Sequence, residues 1–293
     1  PLQPMKHWLA AFRLKTLPLA LGAIILGSKL NELSFDFQIF LFAALTAIFL
    51  QILSNLANDY GDYVKGTDKH RNDRQLSGGT ITPQAMKIAM VLFGLFALSS
   101  GIYLLTISFG NQWMYWFQFL GLGLASIAAA GMYTAGKKAY GYNGLGDVFV
   151  FIFFGLIGVV GTAFLFKQEI NASYWLPAIA YGCLCVGVLN VNNIRDLDKD
   201  VLTNKITLAG KMGKDGALNY QIVLLSVAFL GFMGHHFLEG YVSLAPIGVL
   251  FLGYSHITRL QVADSSEDYN QQLKFLSLGS LVIVILFLIK LFY

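Results

Sequence analysis

Six of the sixteen acidic residues of this 293-residue chain fall in two short segments that directly follow long apolar runs. The first reads Asn58-Asp59-Tyr60-Gly61-Asp62, with Asp68 beyond it; the second reads Asn192-Asn193-Ile194-Arg195-Asp196, followed by Asp198 and Asp200. On a helix, Asp59 and Asp62 stand at i and i+3, and Asp196 and Asp200 at i and i+4, so each pair shares a face and can converge on one cation. Carboxylates at the edge of apolar segments are expensive and are read as functional groups with a partner. Two such pairs predict a shared, oxygen-ligated divalent metal site, the chemistry that suits Mg2+ and a phosphate-bearing substrate. Solvated acidic loops are the plainer reading. Against it, Asn58 and Asp59 continue the apolar run 48–57 without a break and must sit at or below the headgroup level.

Carboxylates and phosphates repel one another, so a metal is needed between them. The cations that would complement the remaining phosphate charge lie in the same segments: Arg71 and Arg74 after the first cluster, and Arg195, Lys205 and Lys211 around the second. Arg suits bidentate phosphate contact, and Lys acts as a point charge. A diphosphate neutralised in this way becomes a good leaving group, and an apolar tail attached to it can lie between membrane helices. The combination predicts ionisation of a lipid diphosphate at the cytoplasmic face. A third polar segment, from Tyr133-Thr134 through Lys137-Lys138 to Tyr142 and Gly146-Asp147, supplies phenols and ammonium groups. It fits an anionic aromatic acceptor or the phosphates, although interfacial tyrosines with cytoplasmic lysines would look the same.

The elements that hold these segments are written for a bilayer. Hydrophobic residues make up 56% of the chain and charged residues 12%, against roughly a quarter charged in an ordinary soluble domain, and the mean hydropathy is +0.62. Nine apolar stretches, 16–31, 37–57, 84–108, 113–133, 145–166, 173–191, 218–238, 240–258 and 272–292, are mostly close to the ~20 residues a membrane-crossing helix requires. No small-residue cleavage pattern follows the first, which is read as a span and not a signal segment. Alternating sides from a cytoplasmic N-terminus puts seventeen Lys and Arg inside and only Lys29, Lys167 and Lys290 outside, the bias expected of cytoplasmic loops. The topology predicted is nine helices, N-terminus inside and C-terminus outside.

The net charge of +4 is a by-product of that bias. Its basic residues form no stripe, so a nucleic-acid partner is excluded and membrane lipids are the expected surroundings. No polar linker is long enough to separate domains, and one domain, 1–293, is expected. Both clusters fall at cytoplasmic helix ends four helices apart, as in a parallel repeat, and each precedes a basic, Gly-containing connection, 69–82 and 199–216. Connections of that length are where binding loops sit. Cys183, Cys185 and the in-span glycines Gly94, Gly121, Gly123, Gly155, Gly158, Gly161, Gly182 and Gly187 read as helix packing, and His235 with His236 as a solvated interfacial pair.

The run from Asn58 through Lys65-Gly66-Thr67-Asp68 resembles the first aspartate-rich motif of the UbiA superfamily of intramembrane prenyltransferases, and Asn192 through Asp200 resembles the second. The form of both is most similar to the MenA branch, which prenylates 1,4-dihydroxy-2-naphthoate. The likeness extends to Trp8-Leu9, Arg13 to Leu17, Tyr133 to Tyr142, Gly144 to Asp147, and Lys205 to Leu208, which is most of the chain. It implies an all-α bundle of nine transmembrane helices around a central cavity with cytoplasmic cap loops, in the inner membrane of a bacterium. It implies transfer of a polyprenyl group from its diphosphate to 1,4-dihydroxy-2-naphthoate with loss of CO2, giving demethylmenaquinone. Asp59, Asp62, Asp196 and Asp200 would hold Mg2+, with Asp68, Asn58 and Asn192 secondary, and Arg71, Arg74, Lys205, Lys211 and Lys138 would meet the diphosphate. Gly66 stands where the general pattern has the last Asp of the first motif, which weakens Asp68 as a ligand. Asn204 replaces the usual Gly before Lys205. Another aromatic acceptor such as 4-hydroxybenzoate is the nearest alternative. An ion-coupled secondary transporter is the alternative of another class, opposed by the absence of carboxylates near mid-span.

Overall fold

A computed structural model describes residues 5–30, 35–66, 75–132, 140–202 and 205–292. The chain is helical nearly throughout: α1 (Met5–Ala11), α2 (Leu17–Lys29), α3 (Phe37–Lys65), α4 (Pro83–Phe109), α5 (Trp113–Met132), α6 (Gly146–Lys167), α7 (Trp175–Arg195), α8 (Leu197–Leu202), α9 (Leu208–Glu239), α10 (Ala245–Gln261) and α11 (Ser266–Leu288). Bilayer-spanning backbone must satisfy its own hydrogen bonds, which is why helices carry the apolar runs. Among the described residues, eight helical segments are long and apolar enough to cross a membrane, α1 and α2 counting as one. The ninth expected span corresponds to α10, which at 17 residues falls short and carries His256 and Arg259. Length and composition therefore support eight of the nine expected spans among the described residues and do not confirm the ninth.

The helices cluster into two compact units, one of Pro1–Leu17 with Phe37–Asn143 and the other of Pro18–Asp36 with Gly144–Tyr293. In the first, α3 has 29 residues, or about 43 Å against a hydrocarbon core of roughly 30 Å. Its last turns, which carry Asp59 and Asp62, therefore outrun the apolar layer. The N-terminal segment is strapped to this helix by the Asn55 side-chain amide, which donates to Phe12 O at 2.9 Å. Ile52 and Leu56 pack there with Ala11, Leu76, Ile81 and Met86. Thr82 caps α4, accepting from Ala85 N at 3.2 Å, with Pro83 in the first turn.

In the second unit, small residues let backbones approach. The centre of α6, Phe151–Gly161, is wound as a π-helix. A β-carbon at Gly155 would lie 2.8 Å from both Ala178 O and Gly182 Cα. The fully buried Tyr181 donates its hydroxyl to Leu19 O at 2.8 Å across a face left open by Gly22. The packing reading of the glycines holds for Gly155, Gly158, Gly182 and Gly187; Gly121 and Gly123 face open space. Cys183 and Cys185 are buried and unbridged.

Two expectations are corrected. The connection 199–216 is mostly helical, because α8 occupies its start and α9 begins at Leu208, where Thr207 accepts from Gly210 N at 3.0 Å. A kink at Gly213, φ 70°, then divides α9. His235 and His236 are buried, not solvated. His235 pairs with Ser173 O at 3.0 Å and the Tyr241 hydroxyl at 3.1 Å, and His236 with Ser243 Oγ at 2.7 Å. Tyr241 and Ser243 belong to the turn where Val242–Ser243 pairs antiparallel with Lys290–Phe292.

The close approach of α6 and α7 predicts that Gly182→Leu costs about 1–3 kcal/mol by overpacking, whereas Gly121→Leu is neutral. Thermal unfolding in detergent checks this: equal midpoints for the two variants would show that the α6–α7 contact does not need glycine.

Candidate functional site

The four aspartates singled out by spacing are nearly inaccessible, Asp59 at 3%, Asp62 at 4%, Asp196 at 3% and Asp200 at 6% exposure, whereas Asp198 is exposed. An ionised carboxylate held out of water must be answered by donors or cations. For Asp62 the described donor is Tyr142, whose hydroxyl reaches Oδ1 at 2.6 Å from 80 residues away, and the Lys65 ammonium lies 3.7 Å above the Tyr142 ring. Asp59 lies one turn earlier on α3, beside the half-buried Asn58.

In the second unit, Asp196 ends α7 and Asp200 stands one turn on in α8, its N–H donating to Asp196 O at 2.8 Å. Arg195 grips Asp196 with both prongs, Nε to Oδ1 at 3.0 Å and Nη2 to Oδ2 at 2.7 Å. The same Nη2 donates to Asn192 Oδ1 at 2.8 Å, and Nη1 to Asn270 Oδ1 at 2.7 Å. Read from sequence as a phosphate cation, Arg195 is instead committed to the cluster. Lys205 sits 3.3 Å from Asp200 Oδ1, while its N–H donates to Asp200 O at 2.9 Å. Lys211 is exposed, and its ammonium end passes near Gly144, whose φ of 75° places it in the left-handed region. Asp68, Arg71, Arg74 and Lys138 lie outside the described residues.

Oxygen-only donors of this kind, several carboxylates with neighbouring Asn side chains, suit Mg2+ and not a soft metal. Among the described residues, no three His, Cys, Asp or Glu side chains gather into a ready cluster. Asp62, Asp196 and Asp200 share a buried setting with partners already in place.

Three features were given no site role by the sequence reading. Asp147, named there only within the third polar segment and the family likeness, starts α6, is buried beside Tyr220, and has Oδ1 shielded without a partner. Arg13 has a left-handed backbone, φ 50°, and a shielded Nη2 with no partner, leaving a donor for an anion. Non-glycine residues are uncommon there, and such strain tends to collect at functional sites. A polar chain crosses four helices inside the second unit: Asn190 Nδ2 donates to Gln221 Oε1 at 2.8 Å, Gln221 Nε2 meets His256 Nε2 at 3.3 Å, and His256 Nδ1 meets Gln272 Oε1 at 3.0 Å.

Comparison with known proteins gives this geometry a context. The profile of the UbiA prenyltransferase family matches residues 16–281. The chain is 42% identical over 238 residues to the 1,4-dihydroxy-2-naphthoate octaprenyltransferase of Haemophilus influenzae, covering 79% of this chain and 77% of that one. It is 40% identical over 262 residues to the protein of the same description from Escherichia coli, covering 86% and 85%. Among solved structures, it superposes on the apo UbiA homologue of Aeropyrum pernix with a TM-score of 0.72 at 15% identity, covering 93% and 96%. It superposes on the Archaeoglobus fulgidus homologue bound to GPP and Mg2+ with a TM-score of 0.69 at 13% identity, covering 96% and 98%.

The Tyr142 contact predicts that Tyr142→Phe, which removes one hydroxyl and leaves the ring in place, costs about 1.5–3 kcal/mol, the worth of a hydrogen bond to a charged group. The measurement is the thermal midpoint in detergent. An unchanged midpoint would mean that the hydroxyl does not hold Asp62.

Proposed function

The chain belongs to the UbiA prenyltransferase family, and from that premise we propose that it transfers a polyprenyl group from polyprenyl diphosphate to 1,4-dihydroxy-2-naphthoate, working as one multi-pass transmembrane domain. The observation that carries the reading is the burial of Asp59, Asp62, Asp196 and Asp200 at the ends of apolar helices. These carboxylates are costly unless they hold a cation, and a diphosphate is the substrate that needs one. The names of the curated relatives support the acceptor, and the GPP- and Mg2+-bound Archaeoglobus fulgidus homologue supports the donor and the metal.

In this reading Asp59, Asp62, Asp196 and Asp200 hold Mg2+, with Asp68, Asn58 and Asn192 as secondary or orienting ligands. Bound Mg2+ supplies charge neutralisation for the diphosphate as it leaves. Lys205, Lys211, Arg71, Arg74 and Lys138 bind diphosphate oxygens, and positioned cations aimed at charge that grows on the leaving group are the main catalytic contribution. The allylic carbon–oxygen bond breaks, with the electron pair leaving on the diphosphate. The electron-rich ring carbon that bears the carboxylate forms the new carbon–carbon bond. Loss of CO2 from that carbon returns its electron pair to the ring, so no base is needed to remove a ring proton. The immediate product is the hydroquinone of demethylmenaquinone.

The protein is a multi-pass membrane protein, and the reading adds that it lies in the bacterial inner membrane with its N-terminus and active site on the cytoplasmic side; the distribution of seventeen cations inside against three outside, counted over the nine expected spans, supports this. A cysteine introduced beside Lys211 should then resist an impermeant thiol reagent in intact cells, while one beside Asn111 is labelled; the reverse pattern overturns the orientation. For the chemistry, Asp62→Asn or Asp196→Asn should lower turnover by at least about a hundredfold, as removal of one stabilising group typically does, with the protein still folded in detergent. Carboxyl-labelled acceptor should release labelled CO2 in step with prenylated product. Product that keeps the label would move the enzyme to an acceptor such as 4-hydroxybenzoate, whose carboxylate survives prenylation.

A further inference from the structure

We propose that Asn270 is a positioning residue for the second aspartate cluster: acting through Arg195, it sets the direction in which the Asp196 carboxylate faces, and thereby that carboxylate's affinity for a divalent cation. The inference rests on the reading of Asp196 as a Mg2+ ligand and deepens it.

The geometry is that of a fork held at both ends. The Arg195 and Asp196 side chains are only 7% and 4% exposed, so water cannot substitute for a missing partner. One edge of the guanidinium, Nε and Nη2, is spent on the two oxygens of Asp196. Nη1 alone reaches outward to Asn270 Oδ1 at 2.7 Å. A planar guanidinium fixed at both ends cannot rotate, and a carboxylate that follows it cannot either. Two oxygens offer about four lone-pair sites, so the fork decides which of them can face a cation.

Asn270 is well placed to act as an anchor. It stands in the second turn of α11, whose start is fixed by a capping box between Ser265 and Asp268. Its neighbour Tyr269 donates its hydroxyl to Ala263 O at 2.9 Å, and Gln272, two residues on, bonds His256. Arg195 and Asn192 come from α7, so Asn270 is the contribution of a second helix to the orientation of Asp196. Partners that orient a metal ligand typically account for 10–100-fold in metal affinity.

The test uses the full-length protein in detergent and Mn2+ as a spectroscopic probe, with free ion counted by EPR. Asn270→Leu keeps the branched shape and removes the acceptor, and should weaken Mn2+ binding about 10–100-fold. Asn270→Asp keeps an acceptor oxygen and should restore binding. Wild-type Mn2+ affinity in Asn270→Leu, or equally weak binding in both variants, would overturn the proposal and leave Asn270 as packing alone. Should Asn270→Leu not fold, Arg195→Lys, which keeps the charge but loses the fork, should show the same weakening, and unchanged affinity there would equally overturn it. Asp196→Asn separates the two readings: if that variant binds Mn2+ like wild type, the ligand role of Asp196 fails whatever Asn270 does.

Discussion

Charge held out of water governs this structure. Only 12% of the residues are charged, yet five carboxylates, Asp147 among them, are placed where almost no solvent reaches them. The effective penalty for a buried ion is several kcal/mol, and removing one partner of a buried pair costs more than the pair contributes. Each aspartate therefore constrains its surroundings. α3 must run past the apolar layer to carry Asp59 and Asp62, Tyr142 must return from 80 residues away to Asp62, and α7 must end where Arg195 can turn back on Asp196.

The two units meet the same electrostatic problem with different partners. Asp62 accepts from the Tyr142 hydroxyl, and the Lys65 ammonium over that ring adds positive charge beside it. Arg195 cancels the charge of Asp196, and Lys205 does the same for Asp200 at 3.3 Å. A metal entering the second cluster has to be shared with those cations, and their release from the carboxylates would make them available to a diphosphate. Lys205 suits that exchange because a flexible ammonium pairs as a point charge. Arg195 does not, since its other donors are fixed by Asn192 and Asn270.

Much of this was legible in the sequence because membrane helices are specified by length and composition, and those quantities are local. The spans, the paired aspartates and the glycine packing of α6 on α7 follow from residue type and spacing alone. What was not legible depends on partners remote in the chain. Nothing near His235 and His236 indicates that Ser173, 62 residues before His235, will bury them. Arg195 looks like any other loop cation until Asn270 arrives from α11. The helical start of the 199–216 connection was hidden by its charge, which pattern reading assigns to solvent, although Asp200 is buried. The π-helix of α6 leaves no mark either, since a change from i→i+4 to i→i+5 hydrogen bonding requires no particular residue.

The polar chain from Asn190 to Gln272 has no counterpart among the aspartates and needs its own explanation. Apolar side chains of the same size would hold α7, α9, α10 and α11 together about as well, because a satisfied buried hydrogen bond contributes only about 0.5–1.5 kcal/mol net. What a polar chain adds to the register set by ridge-and-groove packing is directionality, since a slide of one helix past another then also breaks specific hydrogen bonds. Here a slide would break the contacts at Gln221 and His256 and strand groups that are almost wholly buried. Gly187 fits the same logic: a β-carbon there would stand 2.8 Å from Gln221 Nε2, so the residue is small where the chain must pass. Arg195 and Asn270 lie on the two helices that this chain joins at its ends. A fixed register between α7 and α11 is what allows a 2.7 Å hydrogen bond between them to hold Asp196 in one orientation.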